Sequence, residues 1–419
     1  MSDLRNRIDD SSSIRQSSSS AISVSLKTAT SSEQAPPADY IPGRFGALSE
    51  LRLDVLTGRQ TIFATSRGDR PVEAAPPDVV SEPFGICPFC EGNEKFTPMT
   101  LLSIPNDEDP DSWLVRVVDN KFPAVTWRGL AGKENKRLPS GLKWKNQSNR
   151  RSPQRRGSVG LFDSAPVAGG HEVVIESPWH SHSIVDLNVD HLTKVYQAIA
   201  LRIGAWSKVP GVEYISVFKN VGSRAGASLS HAHSQLITTA ALPPRVADTM
   251  LRSGTHFDQT GCCLQCDLLR SELETGQRIA FTTEHFVAYC PFASSLPYLT
   301  RILPRKHGAR FEDSSPAVLA DLAQLTRRLV QCFETLFPEV SYNYVLHTQP
   351  PAVSNEEPFH WSMEWMPRVT TQAGFEFASD CYINPTLPET AAAALREVAR
   401  QTNPLRGSRP RTGHSVIER

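Results

Sequence analysis

Neither sign of charge prevails in this 419-residue chain, where 44 Lys and Arg face 44 Asp and Glu. A balanced chain has no global field with which to gather nucleic acid or an anionic membrane surface, so neither is expected as a partner. No run of about 18 apolar residues occurs, which excludes a bilayer-spanning helix. The opening residues Met1-Ser-Asp-Leu-Arg5 lack the apolar core of an export signal, and a cytoplasmic protein is expected. Large apolar residues are scarce before Phe45, where Ser and Thr dominate. Residues 1–44 therefore read as a disordered tail, and 403–419 likewise.

The length between the tails suits two domains of ordinary size. Of the eight cysteines, four form Cys87-Pro-Phe-Cys90 and Cys263-Leu-Gln-Cys266. Without an export signal such pairs read first as metal ligands rather than disulfides.

Strands are expected on both sides of a Thr-Gly turn in Asp54–Phe63, over Trp113–Val118, and over His171–Glu176. Helical spacing places Leu192, Val195, Tyr196, Ile199 and Ile203 on one face of Val189–Trp206. The segment Arg128–Arg156 holds ten Lys or Arg against one acid, Glu134. With Trp144 as its one aromatic and Pro, Gly, Ser and Asn throughout, 128–160 reads as a solvated, disordered insertion rather than a nucleic-acid contact.

The chain then repeats itself. Each half runs through a Cys-x-x-Cys, a strand, a strand ending in Pro and His, a helix, a strand and a further His. The second copy uses Phe286–Ala293, Thr300–His307, the amphipathic helix Pro316–Leu336, the strand Tyr342–His347, and Phe359–Glu364. A duplication is expected, with halves over 45–245 and 246–402.

Each half offers two thiols and two imidazoles, an S₂N₂ set that favours a closed, structural zinc site. The sets are Cys87, Cys90, His180 and His231, then Cys263, Cys266, His307 and His360. Cys262 rivals Cys263, and His182 rivals His180. In the stretch Ser228–Gln235, alternation along an extended chain puts His231, His233 and Gln235 on one face. A metal-held histidine beside a second one suits a nucleophile or base next to a phosphate, with a glycine loop supplying backbone N–H groups. The second copy has Ser362 where the first has His233, so one half is expected to carry the chemistry.

These residues resemble a known family. Asn220–Gln235, Cys87-Pro-Phe-Cys90, Ser177-Pro-Trp-His180, Gly374-Phe-Glu376 and Cys381-Tyr-Ile-Asn-Pro385 are similar to the galactose-1-phosphate uridylyltransferases of the histidine-triad superfamily. The plant-type branch, which includes ADP-glucose phosphorylase, is the nearest in pattern, and the likeness runs from about Phe45 to Arg400. It implies an α+β fold of two histidine-triad-like halves, each an antiparallel sheet with packed helices and a zinc site, and a homodimer. It places the nucleophile on His233 and phosphate contacts on Arg67, Arg70, Asn220, Gly226, Ser228 and Gln235. It places the sugar at Phe375 and Glu376, and the base at Asn120 and Phe122.

The expected activity is UDP-glucose:hexose-1-phosphate uridylyl transfer, ping-pong, through a nucleotidyl-histidine. Its rival is an ADP-glucose phosphorylase with phosphate as acceptor. Val118 stands where some uridylyl enzymes have an aromatic, so the base stays open. A zinc-stapled nucleic-acid binder is the third reading, and it leaves His233 without a role.

Overall fold

The computed structural model describes residues 49–69, 86–107, 109, 111–126 and 168–402. Both expected tails, Arg70 and the basic insertion 128–160 lie outside the described residues. The strands run β1 Glu50–Leu53, β2 Gln60–Phe63, β3 Thr100–Pro105, β4 Trp113–Asp119, β5 His171–Ile175, β6 Tyr214–Val221 and β7 His233–Thr239. They continue as β8 Ile279–Thr282, β9 Phe286–Tyr289, β10 Thr300–Pro304, β11 Tyr342–His347, β12 Ser362–Pro367 and β13 Cys381–Asn384. The helices are α1 Val189–Ser207, α2 Pro244–Thr260, α3 Leu264–Thr275, α4 Pro316–Leu336, α5 Gly374–Ser379 and α6 Pro388–Gln401.

Ten strands form one antiparallel sheet in the order β3-β4-β5-β7-β6-β11-β12-β10-β9-β8. Read inward from its two edges, β3-β4-β5-β7-β6 and β8-β9-β10-β12-β11 follow the same pattern, and β6 and β11 meet in the middle. The registers correspond as well. Val174 faces Ser234 as Ile302 faces Met363, and Lys219 faces Ser234 as Leu346 faces Met363. A separate sheet pairs β1 antiparallel and β13 parallel to β2.

Helix α1 starts where Asn188 Oδ1 accepts the His191 N–H at 2.8 Å, and α4 where Ser315 caps and Pro316 supplies a preset first turn. Both lay apolar stripes on one face of the large sheet. Tyr196 of α1 donates to Thr326 Oγ1 of α4 at 2.9 Å within the main core. Inward-pointing Val174, Leu236, Val217, Ile302 and Met363 join that core. Val173, Ile175 and Val118 face the other side, against Cys87 and Phe89. Strand β5 is thus buried on both faces, and His233 and Gln235 of β7 look away from the helices.

The expected strand at Asp54 is a turn instead. Its carboxylate accepts the Leu56 N–H at 2.9 Å, an Asx-type bond that ends β1 one residue earlier.

Candidate active site and metal centres

Strand β7 opens on His233, which is buried, with its ring edge-on to Phe89 at 5.3 Å between centroids. Its Nδ1 lies 2.8 Å from the His231 carbonyl. A carbonyl can only accept, so Nδ1 carries the proton and Nε2 keeps a lone pair. Burial holds the His233 pKa below the ordinary histidine value, with Lys219 acting the same way. A neutral imidazole is the resting form.

Beneath His233, on the helix side of the sheet, lies a buried charged set that the sequence did not announce. Lys219 Nζ donates to Glu176 Oε2 at 2.7 Å and reaches the His233 carbonyl at 3.3 Å. Ser234 Oγ donates to Glu176 Oε1 at 2.5 Å and lies 2.5 Å from the Tyr344 hydroxyl. Burial pushes the Lys219 pKa down and Glu176 opposes that shift. Two opposite charges, each closing or interrupting an apolar run, are the sequence signal that could have found the pair.

The loop before β7 needs glycine at two points. Gly222 has φ +79° and a Cβ there would meet Ser341 Oγ at 2.1 Å, while Gly226 has φ +82° and faces open space. Asn343 of β11 donates to Asn220 Oδ1 at 2.7 Å and to the Ala225 carbonyl at 2.9 Å. Arg368 Nε in turn donates to Asn343 Oδ1 at 2.5 Å. Ser228 is exposed just past the loop.

Gln235, two residues along the His233 face, is half-buried, and its Oε1 lies 2.9 Å from His171 Nε2. His171 also stands 3.1 Å from Asn120 Nδ2. Asn120 Oδ1 accepts the Phe122 N–H at 2.8 Å, and the Phe122 ring is 83% exposed, the face a ligand could cover. Thus Gln235 and Asn120 converge on His171, which sequence reading treated only as the start of a strand.

Other expected residues lie elsewhere. Arg67 is exposed in the short 3₁₀ turn Thr65–Asp69. Glu376 is in α5, its carboxylate accepting the Ala373 N–H at 2.9 Å, and Phe375 beside it is half-exposed. Glu376 lines a cavity of about 490 Å³ with Arg59, Arg245, Arg368 and Tyr382, and His233 and Gln235 are not among its lining residues.

Two Cys/His quartets are assembled, Cys87, Cys90, His180 and His231, and Cys263, Cys266, His307 and His360, with all ligand atoms of each within 4.8 Å. In the first, Cys87 Sγ is 3.3 Å and Cys90 Sγ 3.7 Å from His231 Nδ1, and Cys90 Sγ is 3.6 Å from His180 Nδ1. In the second, Cys266 Sγ is 3.3 Å from His307 Nδ1 and 3.4 Å from His360 Nδ1. A zinc tetrahedron has S–N edges of about 3.6 Å, so the donor sets fit that ion. In the first quartet the outer nitrogens are held as a metal ligand requires. His231 Nε2 donates to the Ser177 carbonyl at 3.0 Å, and His180 Nε2 lies 3.1 Å from Ser230 Oγ. Of the rivals, Cys262 stays outside the second quartet, and His182 only stacks edge-on against His180.

A family profile described as galactose-1-phosphate uridyl transferase, N-terminal domain, matches residues 46–243. ADP-glucose phosphorylase of Arabidopsis thaliana is 31% identical over 355 residues, 84% of this chain and 93% of that protein. The chain belongs to the galactose-1-phosphate uridylyltransferase family. A second profile, a domain of unknown function, matches residues 164–406. Within the family, the galactose-1-phosphate uridylyltransferase of Thermotoga maritima is 26% identical over 360 residues, 84% of this chain and 98% of that one. The crystal structure of the Arabidopsis ADP-glucose phosphorylase with bound ADP-glucose overlays with a TM-score of 0.67 at 30% identity. That overlay covers 84% of this chain and 99% of the other.

Proposed function

We propose that this family member transfers a nucleotidyl group from a nucleotide sugar to a phosphate acceptor, with UDP-glucose as donor and a hexose 1-phosphate such as galactose 1-phosphate as acceptor. One observation carries the reading: a buried, neutral His233 whose Nδ1–H is spent on the His231 carbonyl, so that Nε2 has its lone pair to give. Nε2 attacks the α-phosphorus, the bond from phosphorus to the bridging oxygen breaks, and hexose 1-phosphate leaves with that electron pair. An oxygen of the acceptor phosphate then attacks the same phosphorus and returns the pair to Nε2.

Around the phosphate, Gln235, Ser228, Asn220, the backbone at Gly226, and Arg67 with Arg70 stabilise charge on the non-bridging oxygens. Gln235 has no acidic proton to give a poor leaving group, which suits exchange between phosphates of similar leaving ability. Asn120 and Phe122 border the base, and Phe375 and Glu376 hold the sugar. Zinc in both quartets would be structural, since four protein ligands leave no open position. The two five-strand sets are read as a duplication over 45–245 and 246–402, and the working protein as a homodimer.

A second reading, ADP-glucose phosphorolysis with inorganic phosphate, is favoured by the likeness to the Arabidopsis phosphorylase. The deciding experiment offers UDP-glucose and ADP-glucose separately, without acceptor, and isolates an acid-labile nucleotidyl-protein. The uridylyl adduct supports the first reading and the adenylyl adduct the second. Absence of both from active enzyme overturns the covalent route.

A further inference from the structure

His171 is buried and its ring is met by three groups. Its Nδ1 faces the Ala124 N–H at 3.1 Å, its Nε2 faces Gln235 Oε1 at 2.9 Å, and Asn120 Nδ2 stands 3.1 Å from that same Nε2. A backbone N–H can only donate, so Nδ1 must accept and the proton of the neutral ring must sit on Nε2. An Nε2–H needs an acceptor, and the Gln235 carbonyl oxygen is the one within reach. The orientation of the Gln235 amide follows from this chemistry. With its oxygen spent on His171, its NH₂ group turns away from His171, toward the face that His233 shares.

The same tautomer acts on Asn120. Its Oδ1 is occupied by the Phe122 N–H at 2.8 Å, and its Nδ2 cannot donate to a nitrogen that already carries a proton. An Asn120 N–H is therefore left for a ligand. In the other set of strands the register puts Leu299 at the position of His171, because Arg301 faces Glu364 as Val173 faces Gln235. Leu299 is buried there too, so the sheet has no need of an imidazole at this point.

We propose that His171 is a positioning residue that fixes the Gln235 amide with its NH₂ toward the substrate phosphate. The inference rests on the reading that Gln235 contacts the phosphate. The Ala124 N–H sets the His171 tautomer, His171 sets the amide, and the amide donates to the non-bridging oxygen.

The test is a double-mutant cycle on the first half-reaction, release of hexose 1-phosphate in a single turnover of UDP-glucose or ADP-glucose, whichever is faster. Gln235→Ala should lose about 10²-fold, the lower end for deletion of one oxyanion donor. His171→Leu should lose about tenfold as a disordered amide spends time reversed, and the double variant should be no slower than Gln235→Ala alone. A His171→Leu enzyme at wild-type rate, or one whose loss multiplies onto that of Gln235→Ala, overturns the inference. If Gln235→Ala itself runs at wild-type rate, the phosphate reading falls and takes this one with it, a distinguishable result.

Two further measurements keep the test sound if His171→Leu folds poorly. Histidine ¹⁵N shifts of the wild-type protein should show His171 with Nδ1 bare and Nε2 protonated, the resonance assigned by its loss in His171→Leu or, failing that, in His171→Gln. The opposite tautomer refutes the scheme. Ala124→Pro, which removes the N–H donor from an exposed loop position, should slow the half-reaction a few-fold with the ring still in place. An unaltered rate would count against the scheme.

Discussion

The two five-strand sets share an order and a register but differ in what they put beside the metal quartet. Two residues after its last metal-site histidine, the first set has His233 and the second has Ser362. At the position of Gln235 the second set has Glu364. There Arg301 Nη2 binds Glu364 Oε1 at 2.7 Å and His347 Nε2 lies 3.4 Å from Oε2, filling the face with an ion pair. Burial alone would raise the Glu364 pKa, but Arg301 outweighs it and holds the carboxyl well below its usual range. Beneath the strand the contrast reverses. The charged set Lys219, Glu176 and Ser234 stands where the second set has Leu346, Pro304 and Met363, all buried. One set puts His233 and Gln235 on its outer face and spends buried charge underneath. The other closes its face with charge and packs its underside with carbon.

The comparison breaks most sharply at His233. His233→Gly should lose about 10⁴–10⁶-fold in turnover while keeping its melting temperature, since the quartet is untouched. Ser362→Ala should change neither. Comparable losses in both variants would mean that the second set is catalytic too.

The metal quartets come next. Elemental analysis should find zinc at two ions per chain, one for each quartet. Cys87→Ser should lose one of them, unfold at lower temperature and lose about 10–100-fold in activity, because the aim of the His231 carbonyl is disturbed. Cys263→Ser should lose the other with a similar thermal penalty and a smaller kinetic one. Equal kinetic penalties would show that the two metals do the same work.

The buried pair offers a separation of folding from function. Lys219→Leu leaves the Glu176 carboxylate buried without its cation and should cost about 3–5 kcal/mol of stability. Adding Glu176→Met makes the underside apolar, as it is in the second set, and should recover most of that stability. If the pair serves only the fold, turnover returns with it; if it aims His233, thermal denaturation recovers and turnover does not.

The smallest effect concerns pH. A histidine whose folded pKa is depressed stays neutral below the usual value near 6.5 and protonates only as pH falls further. Nucleotidyl-histidine formation should therefore stay flat from about pH 8 through that value before it declines. A half-reaction already halved at pH 6.5 would mean that His233 is not shielded as its burial requires.

Much of this was legible in the chain, for identifiable reasons. Strand β11 falls on Tyr342–His347 and α4 on Pro316–Leu336, as expected, because Ser315-Pro316 marks the helix start and the apolar stripe is unbroken. The quartets were legible because Cys-x-x-Cys and Pro-flanked histidines keep their spacing. Strand β3, Thr100–Pro105, was missed because none of its residues is fully buried at the sheet edge, so no alternation shows. Helix α2 was missed although Val246, Met250 and Phe257 recur at helical spacing, because that stripe is thin and polar residues outnumber it. The links from His171 to Ala124 and Gln235 span 47 and 64 positions. No local pattern encodes contacts of that separation.

The seam where β6 lies against β11, from Tyr342 opposite Val221 to Leu346 opposite Val217, has a consequence for any attempt to shorten the protein. A fragment cut after β7 would turn β6 from an interior strand into a raw edge, with a row of unpaired N–H and C=O groups inviting other chains to add on. It would also lose Asn343, and with it the anchor of the glycine loop. Such a fragment should emerge as insoluble aggregate rather than as a small, weak catalyst. Damage in the distal strands should likewise be felt first as lost solubility and a slack glycine loop.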